Sequence, residues 1–192
     1  MQNPTELAVV GPKAIEVCQY VQLEKPARKL AREDLSAIEF VGILAEHGHF
    51  SDAVRVVAHL LPPRESVWWA CQCARQAAVP DPQPEWTAGV VAAERWVTEL
   101  TEESRRAAGV AAYEAELNTA AGCAAMAAFG SGGSLTPPDA PLVPPGQYLT
   151  AQLVTGSITV SALSPDPREA PGKYRTFLDQ GIELYRSTVA AA

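Results

Sequence analysis

The sequence predicts an all-α fold, in which about eight antiparallel helices pack as a helical bundle or as a short stack of helical hairpins. Alanine, the residue with the highest helix propensity, supplies 33 of the 192 residues. Apolar residues recur at intervals of three and four along most of the chain, as they do on one face of a helix. Capping residues, glycine and proline separate these periodic segments and mark where helices begin and end.

The first half of the chain contains four such segments, at 13–23, 36–47, 51–61 and 63–78. Before them, Asn3–Glu6 has the pattern of a helix start, with an N-cap asparagine followed by proline. Ser36 and Glu39 match a capping box at the start of the second helix. We expect Ser51 to cap the third helix, and Pro62-Pro63 to separate it from the fourth.

The second half predicts five helices, at 85–100, 101–118, 119–129, 147–163 and from about 172 onward. In the second of these, Glu102 precedes Arg105 and Arg106 by three and four residues, which predicts a solvated face with ion pairs along the helix. The third consists mostly of alanine, with one glycine and one methionine. Side chains this small would let another helix approach closely.

The segment 147–163 is open to two interpretations. As a helix it aligns Leu149, Leu153 and Val160 on one face, whereas as a hairpin it would turn at Thr155-Gly156. Its β-branched residues favour a strand. The helical segments on both sides of it favour a helix.

A run rich in glycine, serine and proline divides the chain near residue 130. We expect a helical domain at 1–129, a connector without regular helix at 130–146, and a C-terminal helical hairpin at 147–192 that packs on the same core. Gly130–Ser134 has no lysine after it and no predicted strand before it, so it does not match a phosphate-binding loop.

The charge balance disfavours a nucleic-acid-binding protein. The chain carries 15 lysine and arginine residues against 22 aspartate and glutamate residues, for a formal net charge of −7. Binding to the phosphate backbone requires a basic surface, which this composition does not supply.

The expected location is the cytoplasm. The longest apolar run in the first thirty residues is Leu7–Val10, too short for the hydrophobic region of a secretory signal. Four cysteines without such a signal indicate reduced thiols. The uncharged stretches 117–138 and 140–165 contain glycine, serine and proline, which disfavours a membrane span.

Few residues suit catalysis or metal binding. The three histidines lie between residues 47 and 59, and His47, His49 and Asp52 could together bind Zn²⁺ or Fe²⁺. His47, however, is followed by Gly48 and fits the end of a helix, where its charge is favourable. We therefore expect no metal, no cofactor and no enzymatic activity, with a metal-dependent enzyme or sensor at these residues as an alternative.

Two adjacent tryptophans are the candidate binding residues. Trp68 and Trp69 point about 100° apart on a helix, so one is expected in the core and the other at a helix contact. A half-exposed tryptophan is also a typical anchor of a protein interface. The alternative is a small-molecule site between helices, lined by Trp86, Trp96 and the small residues of 119–129.

Three segments carry a resemblance to a family of bacterial helical proteins of unknown function: 67–78 (VWWACQCARQAA), 130–145 and 173–185 (KYRTFLDQGIELY). Such proteins occur near secretion-system genes, type VI especially, and the chain resembles them from about residue 35 to its C-terminus. The resemblance implies an accessory protein of a bacterial secretion assembly and identifies no functional residue. The function expected from the sequence is thus a non-enzymatic, cytosolic helical module that binds another protein.

Overall fold

Helices account for all of the regular secondary structure in the computed structural model, which describes residues 11–78 and 82–191. These residues form ten α-helices and no strand, so the predicted all-α fold is confirmed. In chain order the helices are α1 Ala14–Tyr20, α2 Lys25–Arg28, α3 Ala37–Glu46, α4 Phe50–Leu60, α5 Pro63–Ala77, α6 Pro84–Glu99, α7 Glu102–Glu114, α8 Ala120–Phe129, α9 Leu149–Leu163 and α10 Ala170–Ala190.

Local sequence signals locate several helix ends correctly. The Ser36 hydroxyl accepts a hydrogen bond from the Glu39 backbone N–H at 3.2 Å, and the Glu39 carboxylate accepts one from the Ser36 N–H at 2.8 Å, which confirms the capping box. Pro63 is the first residue of α5, where a missing N–H costs nothing. Residues 149–163 form a helix, which settles the choice between helix and hairpin.

Several predicted helix ends are wrong. The helix expected at 13–23 ends at Tyr20, because Val21 is extended. Helix α4 begins at Phe50, with His49 at the N-cap, so Ser51 lies inside the helix and does not cap it. The expected helix at 101–118 ends at Glu114, because Glu116 adopts a left-handed conformation with a φ of 62°. The predicted helix start at Asn3–Glu6 lies outside the described residues.

Helix α8 lies at the centre of the bundle and contacts α5, α6, α7 and α9. All of its residues except Met126 and Phe129 are buried, as expected of a helix that is apolar on every side. The neighbouring helices carry glycine where they come closest. A Cβ atom at Gly89 of α6 would lie 3.4 Å from the Ala121 Cβ of α8 and 2.8 Å from the Ala115 Cβ at the end of α7, and one at Gly109 of α7 would lie 2.7 Å from the Phe129 ring of α8.

Helix α10 packs on α4, α5 and α9 and is joined to α5 by Trp69. The Trp69 side chain is buried, and its indole N–H donates a hydrogen bond to the Phe177 carbonyl at 2.9 Å. One turn further along α10, a Cβ atom at Gly181 would lie 2.6 Å from the indole ring and 2.9 Å from Val57. Glycine at this position therefore lets α10 lie directly against the Trp69 ring.

The Gly/Ser/Pro-rich run between α8 and α9 is fixed to α7 by a buried arginine. Arg105 is only 4% exposed, so the prediction that it lies on a solvated face is wrong. Its guanidinium pairs with Glu102 at 2.6 Å and donates hydrogen bonds to the Phe129 and Ser134 carbonyls. The sequence pattern suggested exposure because it could not show that residues 130–134 return to cover this side of α7.

The proposed division of the chain at residues 129/130 and 146/147 stays a prediction. Helices α9 and α10, from the last of the three expected segments, contact α4, α5 and α8 of the first. No helix in the described part of the chain is long and apolar enough to span a membrane.

The packing of Gly181 against Trp69 can be tested with a matched pair of glycine substitutions in α10. Gly181→Ala should destabilise the protein by about 1–3 kcal/mol, because the added methyl group overpacks a rigid indole. Gly172→Ala should stabilise it by about 0.5 kcal/mol, because alanine is the better helix former and a Cβ atom there meets nothing within 4 Å. Urea unfolding measures both changes. Equal stabilities for the two variants would contradict the close contact between α5 and α10.

Candidate functional site

The structure separates the two candidate tryptophans, Trp68 and Trp69. Trp68 is 40% exposed, whereas Trp69 is 1% exposed and belongs to the core. Both border a groove of about 330 Å³ between α5 and α10, which is lined by Trp68, Trp69, Gln72, Gln180, Glu183, Leu184 and Ser187. Only Trp68 offers a partly exposed indole ring to a partner, while Trp69 supports the groove from beneath.

Polar side chains surround Trp68 in this α5/α10 groove. Gln180 exchanges two amide hydrogen bonds with Gln76 of α5, at 3.1 and 3.2 Å, and these bonds join the two walls. Gln72, Glu183 and Ser187 are the other polar residues of the lining. The groove thus combines one exposed aromatic ring with several hydrogen-bonding groups on two packed helices.

The alternative metal site gains no support from the positions of His47, His49 and Asp52. The His47 Nδ1 lies 2.9 Å from the Ile43 carbonyl at the end of α3, as its helix-terminal position predicts. Asp52 is buried and accepts a hydrogen bond from Arg55 at 2.8 Å. No group of three or more histidine, cysteine, aspartate or glutamate residues suited to a metal ion occurs in the described ranges.

The four cysteines are buried and none forms a disulfide. Burial raises the pKa of the Cys71 and Cys73 thiols, and also those of Cys18 and Cys123. Because the thiolate is the reactive form, these side chains act as small apolar residues at neutral pH.

A cleft of about 560 Å³ opens where one end of the bundle brings together the end of α5, the start of α6, the turn between α7 and α8, and the end of α9. We call it the Trp86 cleft. Of the residues expected in a small-molecule site, Trp86 lines this cleft, whereas Trp96 is buried elsewhere in the core. From 119–129 only Thr119 and Ala120 contribute.

The wall of the Trp86 cleft is mostly apolar and its charged residues are all acidic. Its full lining is Ala74, Ala77, Ala78, Pro82, Gln83, Glu85, Trp86, Glu114, Ala115, Glu116, Asn118, Thr119, Ala120, Val160, Ser161 and Ser164. The turn that carries Glu116 is tightly built: the Thr119 hydroxyl lies 2.7 Å from the Ala115 carbonyl and accepts a hydrogen bond from the Gly122 N–H at 2.9 Å. The α7–α8 side of the cleft is therefore held by hydrogen bonds between the Thr119 side chain and the backbone.

A second cleft, of about 590 Å³, lies between α1, α4 and α9 around His59. The Tyr20 and Tyr148 rings stack with centroids 5.8 Å apart, and the His59 ring lies 5.2 Å from Tyr148. The His59 Nδ1 is 2.7 Å from the Arg55 carbonyl, and since a carbonyl only accepts, Nδ1 carries the proton. Nε2 is then the unprotonated nitrogen of the neutral ring.

Burial lowers the pKa of His59, so the imidazole is neutral at neutral pH and could accept a hydrogen bond or a proton. No hydrogen bond among the described residues joins it to a serine, cysteine or carboxylate side chain. Sequence reasoning did not find this cleft, because Tyr20 and Tyr148 lie far apart in the chain and no motif connects them.

The buried imidazole predicts a pH-dependent stability. The lowered pKa means that the unfolded chain takes up the His59 proton first as the pH falls, so stability should decrease from about pH 6.5 down to the lower folded-state pKa. His59→Gln should flatten this dependence. His49→Gln, at a half-buried position outside the cleft lining, is the control. Urea unfolding between about pH 8 and pH 5 tests this. The same slope in His59→Gln and wild type would rule out His59 as the cause.

A protein-family model matches most of the chain. Residues 40–185 match a model described as a family of unknown function (DUF6931). This range contains the Trp86 cleft and the lining of the α5/α10 groove except Ser187, and it confirms the expected membership of a family without an assigned function. No curated protein and no solved structure matches the chain. Because the match covers well over half of the sequence, the chain belongs to the DUF6931 family.

Proposed function

We propose that the protein is a non-enzymatic helical module that binds another protein through the α5/α10 groove. The observation that carries this proposal is the exposed Trp68 ring, which borders a groove between two packed helices. Tryptophan is strongly enriched among the residues that dominate binding energy at protein interfaces. Because Trp69 and Gly181 pack α5 against α10, the groove needs little ordering before a partner binds.

The chemistry of the groove indicates what such a partner would present. An apolar side chain would cover the Trp68 ring, and hydrogen-bonding groups would meet Gln72, Glu183 and Ser187. This arrangement of an aromatic centre with polar surroundings is typical of interfaces between proteins that also exist separately.

A cytoplasmic location and a role in a bacterial secretion assembly form part of the same proposal. Four free thiols are typical of a reducing compartment and support the location. The resemblance to bacterial helical proteins, carried by 67–78, 130–145 and 173–185, supports a role in a secretion assembly. The raised thiol pKa values and the absence of a nucleophile bonded to His59 in the described chain support a non-enzymatic role.

The interaction can be tested by affinity capture from a lysate of the source organism. Trp68→Ala should lose the partner proteins that wild type retains, because the central aromatic contact is removed. The matched control is Tyr113→Ala, which removes an exposed aromatic ring, 69% accessible, from α7. Thermal unfolding verifies that both variants fold. Retention of the same partners by Trp68→Ala, or their loss only in Tyr113→Ala, would contradict the proposed surface.

A second candidate function is the binding of a small molecule in the Trp86 cleft. Its volume of about 560 Å³ and mostly apolar wall favour this function. Small-molecule sites are commonly concave, apolar spaces of about 300–1,000 Å³ with a few polar groups. One protein could carry out both functions, protein binding at the α5/α10 groove and small-molecule binding in the Trp86 cleft, because the two sites share no lining residue.

A further inference from the structure

We infer that the ligand of the Trp86 cleft is a small organic cation, in which an ammonium group is attached to an apolar body. This inference rests on the second candidate function, small-molecule binding in the cleft. It assigns the chemical class of the ligand from the charges, the aromatic ring and the apolar wall that meet at this end of the bundle.

The negative charge at the cleft is the first argument. Glu85, Glu114 and Glu116 line it, and none of the described lining residues is a lysine, arginine or histidine. The residues between Ala78 and Pro82 in the sequence are Val-Pro-Asp, none of which is basic. A cleft lined by charges of one sign concentrates counter-ions of the other sign and repels an anionic ligand.

The glutamates of the cleft differ from nearby glutamates in having no ion-pair partner among the described residues. On α6 and α7, Glu94, Glu99 and Glu102 each form an ion pair with an arginine, at 2.5 to 2.8 Å. Among the ion pairs of the described chain, none involves the three glutamates of the cleft. These three carboxylates therefore remain available to a cation from outside.

The rest of the wall suits the remainder of such a ligand. Trp86 supplies the aromatic ring that attracts cations most strongly. Ala78, Pro82 and Val160 are partly exposed apolar residues of the same lining, which would receive a hydrocarbon body. A neutral apolar compound would use only this wall, whereas an organic cation would use the wall and the carboxylates together.

The inference can be tested with benzyltrimethylammonium as the probe, followed by the indole N–H signals of the four tryptophans in NMR spectra. We expect a saturable shift of the Trp86 signal. Benzyl alcohol, which is neutral, and benzoate, which is anionic, should bind at least about five times more weakly, since one charge contact near a protein surface contributes about that factor.

Charge-neutral variants test whether the glutamates recognise the probe. The double variant Glu114→Gln, Glu116→Gln should weaken binding of benzyltrimethylammonium by about fivefold or more. The control variant Glu33→Gln, Glu103→Gln changes the net charge equally at exposed positions outside the cleft lining and should bind as wild type does. Thermal unfolding of each variant shows that it is folded.

The outcomes separate this inference from the function on which it rests. If all three compounds shift the Trp86 signal with equal affinity, the cleft is a small-molecule site, but the inferred preference for cations is wrong. If none of the compounds shifts Trp86, both the site and the inference fail. Equal weakening in the two double variants would overturn the role of Glu114 and Glu116. If Nα-acetyl-lysine amide, an ammonium compound without an aromatic ring, binds as tightly as benzyltrimethylammonium, the carboxylates alone recognise the ligand, and the proposed contact of its body with the apolar wall is wrong.

Discussion

Close packing of small side chains around α8 is the constraint on which the rest of the structure depends. Four helices can surround α8 because alanine and glycine add little width to it, and because Gly89 and Gly109 remove the side chains that would hold α6 and α7 away. Serine takes part as well, since the buried Ser157 of α9 donates a hydrogen bond to the Ala120 carbonyl at 2.8 Å. The same small residues leave space at the start of α8, and the Trp86 cleft occupies that end of the bundle.

The two binding surfaces follow from different features of this packing. At the α5/α10 groove, large side chains meet: Trp69 fills the core and leaves Trp68 at the surface of the same helix. At the Trp86 cleft, several helix ends come together and their side chains are too small to fill the space between them. Both surfaces belong mainly to helices that are packed in the bundle, so neither requires a large rearrangement before binding.

Local features could be predicted from the sequence, whereas contacts between distant segments could not. The capping box at Ser36 depends only on residues three apart, and its prediction from the sequence is confirmed. The different orientations of Trp68 and Trp69 follow from helix geometry, but which of them is buried depends on α10. Two features depend on how distant segments pack together: the burial of Arg105, and the grouping of Glu85 with Glu114 and Glu116. The spacing of residues along the chain does not predict such contacts.

Hydrogen exchange of the backbone amides measures the central position of α8 most directly. If four helices cover α8, its amide protons can exchange only when the whole protein unfolds, and their opening free energy should equal that of global unfolding by denaturant. The amides of α1, which packs mainly against α3, should exchange through smaller openings. Exchange of the α8 amides through local opening, while those of α4 and α10 stay protected, would contradict the account.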